Sequence, residues 1–173
     1  VGNIFNGGDD ELDLSNGGTA VFVDVLMLAT TALAEEPWDY RFAALLTWQD
    51  QSVMGRGAVG FDLEDIDWGA SPEEQARNKD FVLRVTDLAL TRHRWDELAY
   101  DPPFATDHLR RFRTMVATHT PSCGEGRHPD AFPAAEEALL ASCTRHRVLT
   151  ALPHWEGCVF CTEQQNTVTG APS

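Results

Sequence analysis

Apolar residues along this chain recur mostly at spacings of three and four, the period of α-helices that bury one face. Thr19 to Glu35 is apolar over four turns and stops before Pro37, which predicts a buried first helix. The alternation of Val21, Val23 and Val25 would also fit a strand. Asp24 stands alone among apolar neighbours and is expected to reach the surface or accept a backbone hydrogen bond. Trp38 to Met54 predicts a second helix, with Phe42, Leu45, Leu46 and Val53 inward and Gly55-Arg56-Gly57 ending it. Ser71-Pro72-Glu73-Glu74 is the strongest local signal: a capping serine, proline at the first helical position and a glutamate that reaches back to the cap amide. It predicts a helix to about Trp95 that buries Phe81, Val82, Val85, Leu88 and Ala89, with Arg92 and Arg94 in its last turn. After the turn at Asp101-Pro102-Pro103, Thr106 is expected to cap a helix carrying Leu109, Phe112 and Val116 on one face. Pro133 opens a last expected helix through Leu139 and Leu140, followed by two short strands between Arg147 and Trp155. The fold class read from this pattern is mainly α: about five helices in one domain, with a small β-hairpin at the C-terminus.

The polar stretches divide the chain. Phe5 to Gly18 has the composition of a loop; its Asp, Asn and Gly residues evoke a calcium loop, but the oxygen spacing and closing glutamate of an EF-hand are missing. Ala58 to Phe61 reads as a short extended piece. In Asp62-Leu63-Glu64-Asp65-Ile66-Asp67-Trp68 acidic and apolar residues mix, so one side can pack while Asp62, Glu64, Asp65 and Asp67 face a cation, a basic partner or plain solvent. Pro121 to Pro129 is the expected hinge. The organisation expected is an acidic helical body over 1–120, a metal-binding appendage over 121–163 and a flexible tail over 164–173.

Charge sharpens this reading. The 173 residues carry a net charge of −14, with 13 basic against 27 acidic side chains. Residues 1–76 hold 15 of the acidic ones against only Arg41 and Arg56. Such a field disfavours nucleic acid and favours a basic protein partner, besides keeping the chain soluble. Twelve of the 13 basic residues are Arg, with Lys79 the exception, as a GC-rich coding genome would produce. The N-terminus lacks the basic region of a signal peptide, and the apolar run from Ala20 to Ala34 is interrupted by Asp24 and short for a bilayer, so a soluble, cytoplasmic protein is expected. Four cysteines in a reducing compartment point to metal rather than disulfides.

The chemistry concentrates near the end of the chain, in Cys143-Thr-Arg-His146 and, eleven residues on, Cys158-Val-Phe-Cys161. A two-residue gap lets a tight turn aim both side chains at one point, and two such turns supply the four ligands of a tetrahedral ion. This stretch resembles the zinc-ribbon or zinc-knuckle hairpin at the level of the motif. The resemblance covers residues 143–161, implies a structural Zn2+ held by Cys143, His146, Cys158 and Cys161, and implies no activity. Cys123, His128 and His154 are spare ligands or supports for the ligands. A redox dithiol at Cys158 and Cys161 lacks a thioredoxin-like βαβ setting. The deaminase pattern is absent, since Gly157 precedes Cys158 and no His-x-Glu occurs, and so is His-Glu-x-x-His. His93 suits the same helix end as Arg92 and Arg94, and no role attaches to His108 or His119. The function expected is therefore a non-enzymatic, zinc-stabilised protein-binding module, of the inhibitor or immunity type, for a basic partner. A zinc-dependent hydrolase using a spare ligand, with Glu125 or Glu156 as base, is the alternative. Nucleic-acid binding through Arg127, Arg145 and Arg147 comes third.

Overall fold

A computed structural model of the chain describes residues 2–49, 59–122, 130–138, 141–150 and 158–161. Among them the protein is mainly α, as the helical periodicity predicts. It begins, however, with a β-hairpin where a loop was expected. Strand β1 (Asn3–Gly7) pairs antiparallel with β2 (Asp10–Leu14), Phe5 opposite Leu12 and Asn3 opposite Leu14. The correction has a simple cause. Asn3, Phe5, Leu12 and Leu14 are buried at every second position, but the Asp and Gly residues around them mask this sparse alternation. Gly8, at φ 70°, supplies the positive φ of a two-residue hairpin turn. Of the extended piece predicted over Ala58–Phe61, Ala58 lies outside the described residues and 59–61 lie along β1, with Ile4 donating to the Val59 carbonyl and Asn6 to that of Phe61. Gly60 must be glycine, because a Cβ there would sit 1.8 Å from the Ile4 carbonyl oxygen.

Helix α1 (Asn16–Leu33) is capped by Ser15, whose hydroxyl accepts from the Gly18 amide. It is a helix and not a strand because Phe22, Val25, Leu26, Leu28 and Ala29 reach the core from nearly all sides. With 18 residues and a mean hydropathy of 1.3 it is longer than the run read from sequence, and long and apolar enough to cross a membrane. Its buried residues here face α2, α3 and α4 instead. Asp24 is half-buried and accepts a hydrogen bond from the Tyr100 hydroxyl at 2.7 Å.

Helix α2 (Pro37–Thr47) ends earlier than predicted, and the remainder of the expected span, 50–54, lies outside the described residues. A 3₁₀ turn at Leu63–Asp65 precedes α3 (Pro72–Leu90). The predicted capping box is in place: Ser71 Oγ accepts from the Glu74 amide at 3.1 Å and Glu74 Oε2 from the Ser71 amide at 3.0 Å. The helix stops at Leu90, five residues short of Trp95. Arg92 and Arg94 are therefore not in its last turn but in the following one, both left-handed, at φ 63° and 60°. Helix α4 (Ala105–Thr118) follows Phe104 as its cap residue, so Thr106 is the second residue inside the helix rather than the cap. The helix expected from Pro133 is replaced by turns over 135–138, and of the two strands expected between Arg147 and Trp155 only β4 (Val148–Thr150) falls there, paired with β3 (Ala141–Cys143) upstream; 139–140 and 151–157 lie outside the described residues.

The core joins these parts. Phe22 meets Phe5 and Phe112 edge-on, each with ring centroids 5.3 Å apart, which docks the N-terminal hairpin onto α1 and α4. Trp38, Phe42, Trp68, Phe81 and Phe132 form a second aromatic group beneath α2 and α3. His119 is buried against Trp68, and its Nε2 has no partner among the described residues. Burial holds its pKa below the ordinary histidine value, with Glu64, 3.8 Å from Nδ1, acting in the opposite direction. The unfolded chain therefore takes up this proton first as pH falls. The stability it confers is complete above about pH 6.5 and is lost as pH drops through the lower folded-state pKa. Burial moves His108 in the same direction. Melting temperature should fall on acidification from about pH 7 to about pH 5, and less steeply in His119→Gln; parallel profiles would exclude this origin.

Candidate metal centre

Two chain turns build the site. In the first, Cys143 closes β3 and the chain turns through residues 144–147 into β4, bringing His146 back over Cys143. The Arg147 amide donates to the Cys143 carbonyl at 2.7 Å, and Arg147 takes φ 55° to allow it. In the second, residues 159–161 form a single helical turn that starts at Cys158. The two turns hold their leading sulfurs alike. The Cys143 thiol is pulled down to about 6, chiefly by the His146 backbone N–H, against burial, with the Arg145 N–H assisting. Burial pushes the Cys158 thiol up to about 11, against the backbone N–H groups of Cys161 and Phe160. In each turn the first sulfur thus faces the amides two and three residues further on.

The four donor atoms lie within 4.8 Å of one another. Cys161 Sγ is 3.8 Å from both Cys143 Sγ and Cys158 Sγ. His146 Nδ1 is 3.7 Å from Cys143 Sγ, 3.2 Å from Cys158 Sγ and 3.3 Å from Cys161 Sγ. Sulfurs at 3.8 Å are far outside the ~2.05 Å of a disulfide, so Cys161 is bridged to neither Cys143 nor Cys158, and with one imidazole the three sulfurs can hold a metal ion.

The centre is fastened to the helical body. Val148 and Cys158 are buried in the core, and the Leu149 amide donates to Thr31 Oγ1 on α1 at 3.1 Å. Phe160, between the two cysteines of the second turn, is buried with its ring 5.5 Å from that of His146. Arg94 donates to the His146 carbonyl at 2.8 Å and to the Arg147 carbonyl at 3.2 Å, and its guanidinium lies 5.2 Å from the Phe160 ring centre. Glu97 grips the same guanidinium, which lowers the Glu97 pKa and raises that of Arg94. Sequence reading missed Arg94, Glu97, Thr31 and Phe160. Only the placement of an apolar residue inside Cys-x-x-Cys hinted at the last.

Arg147 occupies a left-handed position that costs a non-glycine residue about 1–2 kcal/mol. Its contacts to Cys143 and Arg94 use backbone atoms alone. Arg147→Gly should therefore stabilise the protein by up to about 1 kcal/mol after the entropy of glycine is subtracted. A drop in the urea midpoint would contradict this.

The other residues singled out in the sequence are dispersed. Cys123, His128, His154 and Arg127 lie outside the described residues. Of the four carboxylates, Asp62 caps the 3₁₀ turn by accepting from the Glu64 amide. Asp67 pairs with Arg41 at 3.1 Å. Glu64 is exposed and accepts from the Ser122 hydroxyl at 3.4 Å, and Asp65 is half-buried. Arg145 and Arg147 are exposed. His93 is half-buried beside the clamp residue Arg94, and the N-terminal Asp and Gly residues form the β1–β2 hairpin. Comparison of the chain with protein-family models, curated proteins and solved structures gives no match.

Proposed function

We propose that this chain is a non-enzymatic protein-binding module whose C-terminal turns are closed on one structural Zn2+ ion held by Cys143, His146, Cys158 and Cys161. The observation that carries the proposal is the spacing of the donors. Zinc bonds of about 2.3 Å to sulfur and about 2.0–2.1 Å to nitrogen, at tetrahedral angles, put sulfurs roughly 3.8 Å apart and sulfur and nitrogen roughly 3.5 Å apart. Cys161 Sγ lies 3.8 Å from each of the other two sulfurs, the sulfur–nitrogen separations run from 3.2 to 3.7 Å, and all four donors lie within 4.8 Å of one another. Three thiolates and one imidazole form a closed structural set, with no position left for substrate. Free thiols also suit the reducing interior of a cell.

The test is metal analysis of protein purified anaerobically. One zinc per chain is expected, and cobalt in its place should show the absorption of a tetrahedral thiolate-rich ion. Substoichiometric zinc with freely titrating thiols would overturn the reading. The binding role rests on charge: the acidic first half favours a partner rich in Arg and Lys, as an inhibitor of a basic toxin or nuclease would need. Within Asp62–Asp67 Glu64 is the exposed carboxylate, Asp62 and Asp65 are half-buried and Asp67 is paired with Arg41. Co-purification with the product of an adjacent gene should weaken with salt and with Glu64→Lys. Indifference to both would remove the electrostatic basis.

A further inference from the structure

Arg94 lies about fifty residues before the metal turns, yet its guanidinium is shared between Glu97 and those turns. It donates to the carbonyls of His146, itself a ligand, and of Arg147, the next residue, and covers the ring of Phe160 inside the second turn. All three targets belong to the two turns that one ion would close. Resting on the zinc reading above, we infer that Arg94 is the positioning residue through which the metal centre orders the segment 91–101, and through which that segment in turn holds His146 in ligating geometry.

The segment needs such an anchor. Arg92 and Arg94 are both left-handed without being glycine, so its backbone is not in a conformation it would keep alone. Its supports include the backbone bonds of the 3₁₀ turn over Trp95–Glu97, the buried Trp95 and Leu98, Arg92 stacked on the Trp95 indole at 5.2 Å, the Tyr100 hydroxyl on Asp24 and the exposed pair of Arg92 with Asp101. Exposed pairs hold little. The fork of Arg94 on two successive carbonyls adds a contact from outside the segment, on top of the short backbone bonds of the turn itself. Glu97, three residues on, fixes the fork's orientation. In the other direction, two donated hydrogen bonds fix the peptide planes around His146, so its Nδ1 meets the ion without further ordering. The same segment lines a surface groove of about 480 Å³ bounded by Arg92, Trp95, Asp96, Leu98, Tyr100 and Asp101. Metal occupancy thereby sets the shape of that groove.

The experiment uses the full chain and its Arg94→Met, Arg94→Lys and Glu97→Gln variants, with retained helix content checked by circular dichroism. Zinc affinity is read by competition with a chromophoric chelator, and amide exchange of residues 91–101 is followed with and without zinc. Removal of groups that support metal ligands costs about 10–100-fold in affinity. Arg94→Met is expected near the lower end, with zinc no longer protecting 91–101. Glu97→Gln should shift both readouts less and in the same direction, which keeps the test informative if Arg94→Met fails to fold. Lys keeps the charge but cannot span both carbonyls, so it should restore only part of the affinity. Full rescue by Lys would reduce the effect to simple charge and overturn the fork. Wild-type affinity in Arg94→Met, or zinc-independent exchange at 91–101 in the wild type, would overturn the coupling while leaving the zinc site intact. A wild-type chain that binds no zinc overturns both.

Discussion

Cys158→Ala is expected to abolish stoichiometric metal binding and to release the C-terminal hairpin from the helical body. The sulfur is one of four donors within 4.8 Å and is itself buried in the core, so the variant loses a bond and leaves a small cavity. Structural zinc contributes about 10–16 kcal/mol of apparent binding energy in small peptides, comparable with the stability of a whole domain. Even a fraction of that exceeds what β3 and β4, of three residues each, can supply through their own ladder. The helices differ in this respect, since α1, α3 and α4 bury their faces mainly against one another. Hydrogen exchange should therefore show lost protection at residues 143–149, including the Leu149 amide that now donates to Thr31, with protection of Phe22–Ala29 and Phe81–Ala89 largely kept. Chelation of the wild-type protein should reproduce the pattern. Full protection of 143–149 after metal loss would show that packing, and not the ion, holds the hairpin.

The second large effect is expected in the core at the other end of the chain. Phe22→Ala should destabilise the protein by about 3–5 kcal/mol, the range for deleting a fully buried phenylalanine. Phe22 is fully buried and contacts Phe5 from the hairpin and Phe112 from α4. One truncation thus opens a cavity where β1, α1 and α4 meet. Because Phe5 is the main anchor of β1, the hairpin should become the least protected part of the variant in exchange measurements. Urea denaturation gives the magnitude, and Phe104→Ala serves as the control. Phe104 is 75% exposed, so its truncation should stay within about 0.5 kcal/mol. Similar losses for the two variants would mean that the aromatic cluster is not the centre of stability described above.

The local signals in the chain were legible where they act locally. Ser71 and Glu74 cap α3 as their spacing predicts, because both partners lie within one turn. Helix ends without such a box were misplaced: α3 continues on paper to Trp95 because Arg92 and Arg94 are good helix formers, yet the chain turns left-handed there. What the turn gains, Trp95 in the core and Arg94 on the metal turns, lies far away in sequence. Pro133 and the leucines after it read as a helix for the same reason, and β3 forms nearby because β4 is there to pair with it. The N-terminal hairpin escaped notice because a two-residue period spread over five-residue strands of Asp, Asn and Gly carries little signal.

By itself the sequence determined which four side chains can share an ion, since a two-residue gap sets the reach of each turn whatever the rest of the chain does. It likewise determined the helical character of the body and the excess of negative charge in its first half. Tertiary structure alone decided how the metal turns are held to that body. Val148 in the core, the Leu149 amide on Thr31 and the guanidinium of Arg94 on two carbonyls are contacts between residues about 50 to 120 positions apart. Such contacts leave no periodicity or spacing behind, because each is set by the shape of the packed helices and not by its neighbours along the chain.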